Sequence, residues 1–307
     1  MVAAGEFVLR VRRFDPESGR RWVAEYRVPR RRGMTVLDAL LYVKERLDPT
    51  LSFRYSCRMG ACGSCGVEVN GVPRLACQTQ VSRVLRGGVV EVGPLSGYPV
   101  VRDLVVDMSR PLGLHASVRP TVVRRSPGEL EDGSSEFLVE PGELLGFYQY
   151  SLCIMCGLCN AACPVYTSNP RYMGPMVLTH VYRWVADPRD EARLERVAMV
   201  ASPDGCLGCH FAASCSAVCP KAVDPASAIQ RLRRLALAAG LGLLRPRRGA
   251  PAAEPGPRHG KPPAEGPPAE AVLPGVRLEE LEAAEPLEDV DPEAPPESPL
   301  RVPGGGG

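Results

Sequence analysis

Lysine is almost missing from this chain. Lys44, Lys221 and Lys261 are its only three, and arginine supplies the rest of the positive charge. That bias fits a GC-rich genome or growth at high temperature and carries no functional information. Long apolar runs are missing too. No stretch approaches the ~20 residues a spanning helix needs. The best, residues 235–244, is too short and is flanked by Arg231, Arg233, Arg234 and Arg245. The opening MVAAGEFVLRVRRF lacks an apolar core followed by a cleavage site, so export is not expected. Arg12-Arg13 is not followed by the hydrophobic stretch of a twin-arginine signal. A strong charge of one sign is absent as well. The net charge of +2 points to neither nucleic acid nor an anionic membrane face as a partner. His115, His180 and His259 have no paired carboxylate context and read as ordinary surface or core residues. No catalytic residue is assigned.

Cysteine, by contrast, is abundant and ordered. All twelve fall into three groups: Cys57, Cys62, Cys65 and Cys77; Cys153, Cys156, Cys159 and Cys163, followed by Pro164; and Cys206, Cys209, Cys215 and Cys219, followed by Pro220. A disulfide framework is the plain alternative, but cytosolic disulfides are uncommon outside hyperthermophiles and Cys-x2-Cys steps more often hold metal. Zinc sites of four thiolates also use Cys-x2-Cys pairs. Zinc does not account for Cys-x2-Cys-x2-Cys-x3-Cys-Pro, which packs four thiols into eleven residues.

The chain of 307 residues, 45% hydrophobic, has room for two domains. Residues 1–105 read as a small α/β domain. Residues 7–13 and 22–28 pattern as strands joined by the turn-prone Asp15-Pro16-Glu17-Ser18-Gly19. Residues 35–47 pattern as a helix, with Thr35 and Asp38 as a capping box and an apolar face of Val36, Leu37, Leu40, Leu41, Val43 and Leu47. After the first cysteine group, residues 67–69 and 89–92 supply short strands, and Asn70-Gly71 is a strong turn signal. That order is the order of a β-grasp ferredoxin. Residues 106–139 read as a connector punctuated by Pro111, Gly113, Pro120, Pro127, Gly128 and Gly133. Residues 140–244 look helical, with helices expected over 176–185, 190–200 and 225–244 and cluster loops between them. Residues 245–307 change texture: from Pro246 on there are 15 prolines in 62 residues, and disorder is expected. Residues 276–287 are a weak candidate for a short helix on a partner. The expected fold class is α+β: an N-terminal β-grasp 2Fe–2S domain, then an all-α bacterial-ferredoxin-like domain holding two clusters.

Cys57-x4-Cys62-x2-Cys65-x11-Cys77 is the plant-type 2Fe–2S spacing. Gly60, Gly63 and Gly66 alternate with these ligands and let backbone amides approach the sulfur atoms. The Cys153 group is the bacterial-ferredoxin pattern, whose fourth cysteine serves the other cluster. Applied here, that rule crosses the ligands. Cys153, Cys156, Cys159 and Cys219 hold a 4Fe–4S cluster, while Cys163 joins Cys209 and Cys215 at the next. The third group is irregular, because a full repeat from Cys209 would put its second ligand at Ala212, which cannot bind iron. Three ligands suit a 3Fe–4S cluster, the favoured reading. Cys206 as a fourth ligand would give a second 4Fe–4S cluster. Three thiolate cages in a row, with no catalytic base, read as an electron conductor.

These residues resemble a known family. RYSCRMGACGSCGVEVNGVPRLACQT at 54–79, RDLVVDM at 102–108, SLCIMCGLCNAACPVY at 151–166 and CHFAASCSAVCPKAVDP at 209–225 are similar to the iron–sulfur subunit of succinate dehydrogenase and fumarate reductase. The resemblance spans about residues 5–240. It implies a partner flavoprotein that oxidises succinate at FAD, three clusters in series, and quinone beside membrane-anchor subunits. It also implies a peripheral place on the cytoplasmic face of the cell membrane and a role in the tricarboxylic acid cycle. A quinone-side histidine of the family maps onto His210. A tryptophan that some members place near the quinone is Ser168 here, and Cys206 departs from the common members. Fumarate reduction uses the same wire in reverse. An iron–sulfur subunit of another flavin dehydrogenase, or of a heterodisulfide-type reductase, is a further alternative. A free ferredoxin shuttle belongs to a different class. It is disfavoured by the chain's size, its fused cluster regions and its lack of strong acidity.

Overall fold

The computed structural model describes residues 5–244 except 127, 132, 134 and 135. The expectations for the tail, 245–307, lie outside the described residues.

Strand β1 (Glu6–Phe14) alternates inward and outward, and Phe7, Leu9 and Val11 are fully buried. It pairs antiparallel with β2 (Arg21–Pro29) and parallel with β5 (Val89–Gly93). β5 pairs antiparallel with β3 (Gly66–Val69), and β3 with β4 (Val72–Leu75). The sheet order is β2-β1-β5-β3-β4. The helix Val36–Tyr42 supplies Val36, Leu37 and Leu40 to the same core. Thr35 caps it as expected: its hydroxyl accepts from the Asp38 amide at 3.2 Å, and the Asp38 carboxylate accepts from the Thr35 amide at 2.8 Å. The helix then widens into one π-helical turn, Val43–Leu47, which leaves Leu47 exposed.

The inward row of β1 ends on a charge. Arg13 is buried and bonds to Asp103 at 2.8 Å, Asp48 at 2.6 Å, Tyr26 at 2.7 Å and Thr50 at 2.9 Å. Burial alone would raise the Asp48 pKa. Hydrogen bonds from Thr50, Tyr26 and Arg13 outweigh it and hold the carboxyl well below its usual range. Through Asp103 the network ties the sheet to a small hairpin, β6 (Val100–Arg102) and β7 (Val105–Val106).

Several elements differ from expectation. β4 and the small hairpin carry no clear pattern, and β4 contains Pro73, tolerable because this strand is an edge of the sheet. The expected connector contains a helix, Ser109–Ser117. Pro111 sits in its first turn, where no backbone acceptor waits for an N–H. The helix expected from residue 190 begins at Arg193, because Asp190 turns inward and its carboxylate accepts from the Ala192 amide at 3.1 Å. The last helix, Pro225–Gly240, stops four residues short, at a turn where Gly242 has φ +69°.

The second half has no strand among the described residues. Pro175–Ala186 lies at its centre and buries Met176, Val177, Leu178, Val181 and Val185. The helices Pro141–Ser151, Arg193–Val200 and Pro225–Gly240 pack on it. The two halves meet at Tyr98, whose hydroxyl donates to the Gly157 carbonyl at 3.0 Å and whose ring lies 5.6 Å from that of Tyr166.

Candidate iron–sulfur centres

The first cysteine group wraps the loop between the helix and β3. The amides of Ala61 and Cys62 both donate to the Cys57 sulfur at 3.2 Å. Cys65 and Cys77 are buried side by side, with Cys62 exposed next to Cys65. Ser64, followed by nearby amides, draws the Cys62 thiol down to about 6, whereas burial pushes Cys65 up to about 12. Arg58, Gly60 and Gly63 have positive φ, the conformation that lets successive amides point at one acceptor.

The other eight cysteines come together across sequence. Cys153, Cys156, Cys159 and Cys219 line one cavity, together with Met176, Thr179 and Lys221. Cys163, Cys209 and Cys215 line a second one, with Tyr172, His210, Ala212 and Ile229. Burial raises the thiols of Cys153 and Cys215 to about 11 and that of Cys159 well above its ordinary value. All twelve cysteines are free of disulfides. Among the described residues no three His, Cys, Asp or Glu side chains close on a single-ion position. The thiols instead ring cavities, and a polynuclear core fits that donor set.

Backbone conformation exposes an internal repeat. Met155 has φ 51°, Gly157 has φ 77° and caps the helix Leu158–Ala161, which carries Cys159. Fifty-six residues later, Phe211 has φ 56°, Ala213 has φ 58° and caps the helix Ser214–Ala217, which carries Cys215. In this register Cys153 matches Cys209, Cys163 matches Cys219, and Ala212 stands where Cys156 does. Cys206 lies outside the repeat. It is fully buried in the turn Cys206–Gly208 and does not line the second cavity, though it is near Cys209. The turn is tightly held: a Cβ on Gly205 would meet the Val200 carbonyl, and one on Gly208 the Pro203 carbonyl.

The first loop touches the cavity of Cys153, Cys156, Cys159 and Cys219. A Cβ on Gly63 would come within 2.8 Å of the Cys156 Cβ. At the other end, His210 and Phe211 are exposed at the mouth of the Cys163–Cys209–Cys215 cavity. Three residues with a bearing on the centres carried no motif: Tyr172, Gln230, whose amide lies 3.8 Å from the Cys209 sulfur, and Arg233, which donates to the Cys209 carbonyl at 3.2 Å. Only the helical phase of Gln230 and Arg233, on the cluster-facing side of Pro225–Gly240, signals them.

Comparison with known proteins agrees with this geometry. A 2Fe-2S iron-sulfur cluster binding domain matches residues 8–112, and a 4Fe-4S dicluster domain matches residues 149–223. The fumarate reductase iron-sulfur subunit of Mycobacterium tuberculosis is 45% identical over 227 residues, 74% of this chain and 91% of the relative. The chain belongs to the iron–sulfur subunits of succinate dehydrogenase and fumarate reductase. The succinate dehydrogenase iron-sulfur subunit of Paracoccus denitrificans is 38% identical over 226 residues, 73% of this chain and 85% of that one. The solved Mycobacterium smegmatis Sdh1 complex in its apo form contains a chain with TM-score 0.69 and 27% identity, over 78% of this chain and 98% of that one. As in this family, a 2Fe–2S region precedes a helical 4Fe–4S ferredoxin-like region.

Proposed function

We propose that the chain is the electron-transfer subunit of a succinate:quinone oxidoreductase, working as succinate dehydrogenase. The observation that carries this is the contact of Gly63 with Cys156, which joins the first cysteine loop to the second, while Cys163 and Cys219 interlace the second with the third. Cys57, Cys62, Cys65 and Cys77 would hold the 2Fe–2S cluster, Cys153, Cys156, Cys159 and Cys219 the 4Fe–4S cluster, and Cys163, Cys209 and Cys215 the 3Fe–4S cluster. When bound, these groups supply one-electron carriers. The chain's own residues space them, surround them with amides and shut water away from the buried thiols. A flavoprotein bearing FAD would feed the Cys57 end. Quinone would take electrons near His210, beside membrane-anchor subunits that hold this chain peripherally at the cytoplasmic face. No helix among the described residues is long and apolar enough to cross a membrane.

Fumarate reduction is the reverse use of the same path, and relatives of both names match the chain. Purification from its source would test the reading. A flavoprotein should co-purify, and succinate should reduce the clusters through it. A chain that purifies alone, or clusters that succinate leaves oxidised beside a bound flavoprotein, would overturn it.

Cys206 is read as a non-ligand thiol, because it stands outside the cavity while Ala212 fills the second-ligand position of the repeat. Cys206→Ser should leave the oxidised-state 3Fe signal intact in electron paramagnetic resonance. Ala212→Cys should abolish that signal by completing a four-iron core. Loss of the signal in Cys206→Ser would make Cys206 a ligand.

A further inference from the structure

Tyr172 has no exposed surface, and its hydroxyl completes no hydrogen bond within the protein, with the Cys209 sulfur poised as its acceptor. Leaving a buried hydroxyl unbonded is costly, and native structures seldom tolerate it without a reason. The residue lines the cavity of Cys163, Cys209 and Cys215 and lies close to all three sulfurs. Its backbone is pinned on both sides. The Tyr172 amide donates to the Asn169 carbonyl at 3.2 Å, its carbonyl accepts from Arg110 at 2.7 Å, and the next amide, Met173, donates to the Asp204 carbonyl at 2.8 Å. The ring is therefore held against the cavity rather than merely able to swing there. In the other cavity the comparable hydroxyl is already used: Thr179 donates to the Pro175 carbonyl at 2.7 Å.

We propose that the Tyr172 hydroxyl donates a hydrogen bond to a sulfur of the cluster held by Cys163, Cys209 and Cys215, and thereby raises that cluster's reduction potential. Reduction adds one electron and leaves more negative charge on the sulfurs. A fixed donor in a dry cavity stabilises that reduced state more than the oxidised one. The phenol keeps its proton and is not oxidised; the electron arrives from the preceding cluster and leaves to the acceptor. Tyr172 acts on the cluster directly and makes the last carrier a better electron sink than the same cage without it. The inference rests on the ligand reading above.

The test is a redox titration of the complex followed by electron paramagnetic resonance. Tyr172→Phe keeps the ring and removes the hydroxyl alone. At a fixed ambient potential it should shift the reduced-to-oxidised ratio of the third cluster about tenfold towards oxidised, about 59 mV for a one-electron couple. The 2Fe–2S titration should not move. Placing 3-fluorotyrosine at position 172, a more acidic donor, should shift the third cluster the opposite way. That second variant keeps the test decisive if Tyr172→Phe fails to hold the cluster. An unmoved midpoint in either variant that holds its cluster would overturn the proposal. A wild-type complex without a 3Fe signal would instead overturn the ligand reading on which it rests.

Discussion

Arg196 has no exposed surface, yet every direction of its guanidinium is met. It bonds to both oxygens of buried Asp190, at 3.0 and 2.7 Å, and to the carbonyls of Val118, Arg119 and Thr121 at 2.7, 2.8 and 2.7 Å. One side chain thus fastens the segment after Ser109–Ser117 to the helical half. Arg196→Ala would leave the buried Asp190 carboxylate without its counter-charge, held only by the Val123 and Ala192 amides, and would strip this donor from three carbonyls, and should cost about 3–5 kcal/mol of stability. Chemical denaturation of the variant checks this, and a loss under 1 kcal/mol would contradict it. His180 makes a second prediction at this scale. Burial, then the neighbouring His115 and Arg183, lowers it to about 4. Its ring meets that of His115 edge-on at 4.6 Å. Between pH 4 and its ordinary ~6.5 the unfolded chain binds more protons than the folded one, so this stability is present above 6.5 and is lost as pH falls. The loss should reach about 2–3 kcal/mol by pH 4. The drop in Tm from pH 7 to 4.5 should shrink in His180→Leu; an equal drop in both proteins would refute it. The cysteines were legible because ligand spacing is local in sequence. Arg13, Tyr172 and Arg196 were not, because their partners lie up to 90 residues away and only folding brings them together.

At the scale of elements, the loops between helices do most of the positioning. Left-handed residues recur at matching places in the two halves of the interlaced pair, and non-glycine residues accept that conformation at a cost of about 1–2 kcal/mol each. The sheet and the capped first helix were readable from alternation and from Thr35 with Asp38. The small hairpin and Ser109–Ser117 were not, since Pro111 and Gly113 mimic a linker until the chain packs on Pro175–Ala186. The junction of the two halves depends on the absence of a side chain at Gly63. Gly63→Ala would strain a φ of +74° and press on the Cys156 Cβ. The expected result is a loss of about 1–2 kcal/mol and slower electron transfer from the first cluster to the second, measured by flash photoreduction, with both clusters still visible spectroscopically. An unchanged transfer rate would mean the contact does not set their separation.

For the molecule as a whole, the central claim is a single conducting line. On that proposal Cys57, Cys62, Cys65 and Cys77 would form its entry, the cavity closed by Cys219 its middle, and the cavity closed by Cys163 its exit, where His210 and Phe211 are exposed. The apolar side chains of Leu237, Leu241 and Leu243 are also exposed, at the end of the last helix. The most direct measurement is electron paramagnetic resonance of the purified complex, oxidised and then reduced stepwise. Three separate centres are predicted: a 3Fe signal in the oxidised state, a 2Fe–2S signal on mild reduction and a 4Fe–4S signal at lower potential. Signals from one type of cluster only would contradict the account.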